Sequence, residues 1–308
     1  MGGVSVTPLS QTILQQYQVR KTKKQKDAFI QLMKSHFPKL TVQEGGFPKC
    51  RNLIVGDIDS AKIILSAHYD TCAQLLLPNF ITPKSPLLSI LYSVLLVAPL
   101  VLIVILLNTL LNHITSNYWV HYWLSLAAYL GLMLLLVAGP ANKHTANDNT
   151  SGVIALCELL QVLTPETRNK VAFVFFDHEE TGLVGSSLLR SKHKDLAKGK
   201  LLINLDCISD GDHILVSATK AARKEYSDAL KNAFQPTDNK SILFTKAERT
   251  YYPSDQVGFK KSVAIAALKK KRFIGYYMDR IHTSRDVMFD KENIKLVCSC
   301  IHRLLEKL

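Results

Sequence analysis

VAFVFFDHEETGLVGS, residues 171–186, opens with six uninterrupted apolar residues and turns abruptly into Asp177, His178, Glu179 and Glu180. An apolar run of that length, built from Val, Ala and Phe, reads as a strand buried on both faces. Such strands belong to sheets covered by helices on both sides. The polar residues then fall just beyond the strand's carboxyl end, where open α/β sheets bind their ligands. Working outward, residues 51–55, 62–67 (KIILSA), 201–205, 213–217 and 262–268 read as further strands. Residues 23–37, 150–163 and 291–308 carry helical apolar spacing. The expected fold is therefore α/β, with a mixed, mostly parallel sheet flanked by helices on both faces.

Chemistry-bearing residues gather at the same kind of position. His68 and Asp70 follow KIILSA in AHYDT, Asp148 precedes a helix in ANDNTSG, Asp206 follows LLINL, and His282 lies in DRIHTSRD. Each group alone is an ordinary polar loop. Together they are costly beside buried strands unless they are paired or bound to metal. Two His and three carboxylates suit a pair of zinc ions with one carboxylate bridging.

Charge is distributed unevenly. The 308 residues hold 38 Lys+Arg and 25 Asp+Glu, a net +13, yet no charged residue occurs between Lys84 and Lys143. That segment contains two spans, about 87–107 and 119–138, each near the ~20 residues a helix needs to cross a bilayer. Tyr118, Trp119, Tyr122 and Trp123 open the second span as an aromatic belt would. Residues 85–142 are thus expected to form a transmembrane hairpin inserted into one catalytic domain, residues 1–84 and 143–308. Lys84 and Lys143 flank the hairpin while its inner turn has no Lys or Arg, which places the body in the cytoplasm, on a two-span protein of the cell membrane. The N-terminus has no signal-peptide core, and MGGVSV lacks the hydroxyl residue at position six that myristoylation favours. Cys50, Cys72, Cys157, Cys207, Cys298 and Cys300 have no framework spacing and read as reduced packing residues.

The motifs AHYDT, NDNTSG, FDHEETGLVGS, NLDCISD and RIHTSRD, in that order, resemble the co-catalytic di-zinc aminopeptidases of clan MH, kin of bacterial leucyl aminopeptidases. The resemblance covers most of the chain outside the hairpin and the N-terminal segment. It implies a zinc-exopeptidase fold holding two Zn2+ ions per chain, and a peptide substrate with a free N-terminus. His68 and Asp206 would hold one ion, Glu180 and His282 the other, with Asp148 bridging. Glu179 would be the general base, and Asp70 the partner that orients His68. Mn2+ or Co2+ would suit the same oxygen-rich donors. Two departures stand out. The interval from Asp70 to Asp148 exceeds the family's usual one, and the hairpin occupies most of the excess. In YYPSDQVGF, Gln256 stands where relatives often carry His. Tyr252 and Ser254 of that segment are candidates for stabilising the tetrahedral intermediate.

Other readings fail. His178-Glu179 begins an H-E-x-x-H pattern, but position 182 is Gly, and no G-x-S-x-G, P-loop or G-x-G-x-x-G occurs. The basic runs RKTKK (20–24) and KKKR (269–272) read as solvated faces near anionic lipid rather than as a nucleic-acid site. His113 and His121 read as interfacial or packing residues. A catalytically silent scaffold of the same fold, a glutaminyl cyclase and a carboxypeptidase are the rival functions.

Overall fold

The computed structural model describes residues 7–75, 77–193 and 196–308. The MGGVSV segment lies outside them. Helices α1 (Pro8–Gln16) and α2 (Lys23–His36) precede strands β1 (Thr41–Gly45), β2 (Cys50–Val55) and β3 (Ile63–His68). Two long helices follow, α3 (Pro86–Leu111) and α4 (Tyr118–Ala138). Then come α5 (Gly152–Val162), the single turn α6 (Pro165–Arg168), β4 (Val171–Phe176), α7 (Val184–Lys192), the short α8 (Leu196–Gly199) and β5 (Leu201–Leu205). The chain closes with β6 (His213–Ala218), α9 (Lys220–Ala233), β7 (Ser241–Lys246), β8 (Ser262–Lys271), β9 (Gly275–Tyr277) and α10 (Lys291–Glu306).

The sheet order is β1-β2-β4-β3-β5-β8-β6-β7, with β9 paired to the far end of β8. Its centre, β4-β3-β5-β8, is parallel, as is the β6–β7 pair. The β1–β2, β2–β4, β6–β8 and β8–β9 pairings are antiparallel. The expectation of a mixed sheet holds, but parallel pairing dominates only the centre. The β1–β2 and β8–β9 pairs are joined by tight turns, which favour antiparallel neighbours, whereas β2–β4 and β6–β8 pair across long stretches of chain.

Alternation along β4 shows why its sequence is apolar throughout. Val171, Phe173 and Phe175 point into a cluster with α1, α2, α5, α9 and α10. Ala172, Val174 and Phe176 point to the opposite face, against Leu189 of α7 and Leu196 of α8. Each such large side chain contributes about 1.5–3 kcal/mol when fully buried. Helix α2 starts where a reciprocal cap forms: Gln25 N–H donates to the Thr22 hydroxyl at 3.4 Å, and Thr22 N–H to the Gln25 side chain at 2.8 Å.

Helices α3 and α4 leave and re-enter the domain at one place. Gln74 N–H donates to Pro140 O at 2.8 Å and Asn142 N–H to Cys72 O at 3.2 Å, so the two connecting segments pair with each other. Helix α3 has 26 residues, runs on through Pro99, and is, among the described residues, long and apolar enough to cross a membrane, with none of its most apolar window buried. Helix α4 packs against it near their connecting turn. There Asn108 donates to Ser125 at 2.6 Å, and His121 bonds Asn108 Oδ1 (3.1 Å) and Thr115 O (2.9 Å). All six cysteines are free and buried.

Candidate metal centre

The parallel register of β3, β4 and β5 brings three carboxyl ends to one edge. His68, the last residue of β3, lies opposite Phe176, the last of β4, and Tyr69 N–H donates to Phe176 O at 2.8 Å. Glu179 and Glu180 follow β4 by three and four residues, and Asp206 directly follows β5. Asp148 comes from the tight turn Ala146–Ser151 that leads into α5, and His282 from the loop after β9. His282 adopts the left-handed backbone conformation (φ 64°), which a non-glycine residue enters at some cost.

The structure brings these side chains together. His68 Nε2 lies 3.3 Å from Asp148 Oδ1 and 3.4 Å from Asp206 Oδ1. His282 Nε2 lies 3.1 Å from Asp148 Oδ2 and 3.1 Å from Glu180 Oε2. Glu180 Oε1 is buried with no hydrogen-bond partner. Tetrahedral zinc with ligand bonds of ~2.0–2.1 Å separates its donors by about 3.3 Å. The spacing, the orphaned carboxylate oxygen and the surplus of buried carboxylates over imidazoles all fit divalent cations. Without a cation, so many clustered carboxylates would repel one another in a poorly solvated site.

Electrostatics within the cluster are strongly perturbed. Burial pushes Glu179 well above the ordinary carboxylate range; Glu180, Asp206 and Asp255 add to the rise, against the pull of His68. Burial also opposes the charge of Asp148, yet hydrogen bonds from His282 and His68 outweigh it and hold that carboxyl below its usual value. Burial works against His68 and His282 as cations, but the facing carboxylates raise both well above the ordinary imidazole range.

Asp70 faces His68 and also supports the two glutamates. His68 Nδ1 is 3.1 Å from the backbone carbonyl of Asp70 and 3.6 Å from its carboxylate. The carboxylate also accepts from the backbone N–H groups of Glu179 (3.0 Å) and Glu180 (3.2 Å). Asp70 thus ties the β3 end to the β4 end and fixes where both glutamates leave the chain. Tyr252 donates to Asp206 O at 3.0 Å, and the fully buried Ser254 accepts from Asn204 at 3.0 Å.

Several residues of this centre escaped the sequence reading. Asp286 accepts from Asn147 N–H (2.9 Å) and Asp148 N–H (3.0 Å), and burial, reinforced by Asp148, pushes its carboxyl up to about 8. Asn147 Oδ1 accepts from Ser209 N–H (2.7 Å) and Asp210 N–H (3.0 Å), while Asn149 donates to Leu205 O at 2.8 Å. These two asparagines clamp the Asp148 turn to the Asp206 loop. Gly152 permits the closure: a Cβ there would meet Asn149 Oδ1 at 2.4 Å and Leu205 O at 2.5 Å. Cys72 has its sulfur within 4.8 Å of donor atoms of Glu180 and His282.

Two cations brace the centre from behind. Arg20, read as part of a solvated run, is fully buried and donates to Tyr69 O (2.5 Å) and Thr150 Oγ1 (3.1 Å). Lys26 pairs with Asp177 at 2.5 Å in an equally buried setting. The first residue of a basic run can turn inward because helix α2 begins only at Lys23, leaving Arg20 in the extended connection.

The sequence profile of peptidase family M28 matches residues 130–303, more than half the chain. His68 and Asp70 precede the matched region. Among solved structures, glutaminyl cyclase from Porphyromonas gingivalis is similar over 99% of each chain at 16% identity, with a TM-score of 0.60. A Zn-dependent exopeptidase from Parabacteroides distasonis is similar over 98% of each chain at 13% identity, with a TM-score of 0.59. The LapA aminopeptidase of Legionella pneumophila is 13% identical, with 97% of this chain and 68% of that one covered and a TM-score of 0.56. At these identities the likeness is one of fold. No curated protein sequence matches the chain.

Proposed function

Because the chain belongs to peptidase family M28, we propose that it is a zinc-dependent aminopeptidase held in a membrane by α3 and α4. The observation that carries this reading is Asp148, whose two oxygens face His68 and His282 separately. In the proposed site one zinc is held by His68 and Asp206, a second by Glu180 and His282, and Asp148 is shared; Mn2+ or Co2+ suits the same donors. A bound metal pair supplies polarisation of the scissile carbonyl and a lowered pKa for the attacking water.

The chain's own residues do the rest. Glu179 accepts the proton of the attacking water and delivers it to the departing amine, a transfer that a carboxyl with a raised pKa performs readily near neutral pH. Asp70 positions Glu179 through its backbone N–H, and Tyr252 and Ser254 enter as positioning groups for the Asp206 and Asn204 region. A free N-terminus is favoured over a free C-terminus by the local cations. Arg20 and Lys26 are buried and committed to Tyr69 and Asp177, so neither is available to receive a substrate carboxylate.

The anchoring reading rests on length and composition. At 1.5 Å per residue, the 26-residue α3 and 21-residue α4 reach across the ~30 Å hydrocarbon core. Lys84 and Lys143 flank them, so the catalytic domain, residues 1–84 and 143–308, faces the cytoplasm from a two-span insertion in the cell membrane.

The test is a panel of peptides with a free N-terminus, an acetylated N-terminus or an N-terminal Gln, assayed before chelation, after it and after zinc is restored. The reading expects release of the first residue from free-amine peptides, loss on chelation and recovery with zinc. Hydrolysis of acetylated peptides, cyclisation of Gln without hydrolysis, or a zinc-loaded protein with no turnover would each contradict it.

A further inference from the structure

Strand β8 ends in Lys269-Lys270-Lys271 and turns into β9 through Arg272-Phe273-Ile274, and Phe273 in that turn is 93% exposed. Across the hairpin, Lys270 lies opposite Tyr276 and Lys269 opposite Tyr277. The Lys270 ammonium sits 5.3 Å from the Tyr276 ring centre, that of Lys271 5.6 Å from Tyr277, and the Arg272 guanidinium 5.6 Å from Phe273. Aromatic rings interleaved with long cationic stems are the chemistry of the bilayer interface. The rings settle at headgroup depth, and the cations extend their charge to phosphate or water.

An independent observation ties this hairpin to the start of α3. The Tyr277 ring lies 6.0 Å from Phe80, which lies 5.2 Å from Tyr92. Tyr92 belongs to the second turn of α3, about 9 Å along its axis from Pro86 at 1.5 Å per residue. Ile81, five residues before α3, exchanges backbone hydrogen bonds with Met278 at 3.2 and 2.9 Å. The root of the hairpin is therefore stitched to the entry of the span, and a bilayer that begins along the first turns of α3 also runs past β9.

We propose that the β8–β9 hairpin is a membrane-docking finger that seats Phe273 at the headgroup level of an anionic bilayer, with Lys270, Lys271 and Arg272 against lipid phosphates. The proposal rests on the anchoring of α3. The finger's root is braced by Lys269, which pairs with Asp210 (2.8 Å) and Asp279 (2.6 Å), three residues before His282. Docking would thus hold the His282 loop, and with it the metal centre, at a fixed height over the membrane. Peptides at the bilayer surface then become its nearest substrates.

The experiment uses the full chain with Trp119→Phe and Trp123→Phe, carrying Phe273→Trp as the reporter, in phosphatidylcholine vesicles with and without phosphatidylserine. Phe47→Trp is the reference, because Phe47 is 98% exposed in the β1–β2 turn, and β2, β4, β3 and β5 lie between β1 and β8 in the sheet. The Phe273→Trp indole should emit to the blue, lose intensity to lipids brominated in the acyl chain, and shift further when phosphatidylserine is present. Lys270→Glu with Lys271→Glu and Arg272→Glu should abolish the phosphatidylserine effect. The Phe47→Trp indole should stay open to iodide and indifferent to bromine. Flotation with neutral vesicles after an alkaline wash reads the anchor separately. A chain that floats while its Phe273→Trp indole behaves like the reference overturns the finger alone. A chain that does not float overturns the anchor and the finger together.

Discussion

Asp286 and Asp148 meet through the backbone: the carboxylate of Asp286 accepts the N–H of Asp148 at 3.0 Å and that of Asn147 at 2.9 Å. The loop that carries His282 therefore also fixes the turn that aims Asp148 at it. One loop supplies a proposed ligand and, four residues later, the group that orients another. The two halves of the centre are coupled mechanically before any ion arrives.

That coupling gives the first prediction. Asp286→Ala should weaken zinc affinity by roughly 10–100-fold, the usual effect of losing a residue that holds a metal ligand in place. Circular dichroism should stay unchanged, and competition with a chromophoric chelator reads the affinity. Unaltered affinity would show that the Asp148 turn holds its shape unaided.

A second prediction concerns the buried pair behind the site. Lys26 and Asp177 are 7% and 1% exposed at their side chains, so removing one partner strands a charge where water cannot replace it. Lys26→Met should cost about 3–5 kcal/mol of stability. Adding Asp177→Asn should return part of that loss, because the stranded charge is then gone. Denaturation of the single and double variants measures both, and a double variant no more stable than the single one would count against the pair's burial.

Asp255 makes stability depend on pH. Burial pushes its carboxyl up to about 7; repulsion from Asp70 and Asp206 adds to this, against the attraction of His68. The folded chain binds this proton more tightly than the unfolded chain, whose Asp titrates near ~4. Protonated Asp255 therefore favours folding below about pH 4, and the advantage fades as pH rises from ~4 through 7. In chelated protein, the melting temperature of Asp255→Asn relative to the parent should climb between pH 5 and 8 and then level. A difference that ignores pH would contradict the assigned environment.

Much of this arrangement was readable from local patterns. The VAFVFF run marked the strand that sets the sheet's centre, and KIILSA and LLINL marked its parallel neighbours, because two-sided burial leaves a continuous apolar signature. Polar residues at those strand ends converge in space because parallel strands end on one edge. What stayed hidden acts through the backbone or over long separations. Asp286, Asn147 and Asn149 serve by accepting or donating main-chain hydrogen bonds, and nothing in their spacing distinguishes them from ordinary loop residues. The resemblance implied Asp70 as a partner for His68, but not that its carboxylate also holds the glutamates 109 and 110 residues away. Arg20 sat in a run of surface cations and gave no sign of burial. The edge strands β1 and β7 and the three-residue β9 were missed because partly exposed or very short strands carry little pattern.

The most direct test sets the two neighbouring glutamates side by side, measuring zinc per chain and turnover of a free-amine peptide. Glu179→Gln keeps the shape of the side chain but accepts no proton. It should retain the parent's zinc content while kcat falls by roughly 10²–10⁴-fold and KM changes far less. Glu180→Ala removes a proposed donor and should lose zinc and activity together. A Glu179→Gln protein that turns over at nearly the parent rate, or one that loses its zinc, would contradict the assignment of Glu179 as the base beside a metal pair.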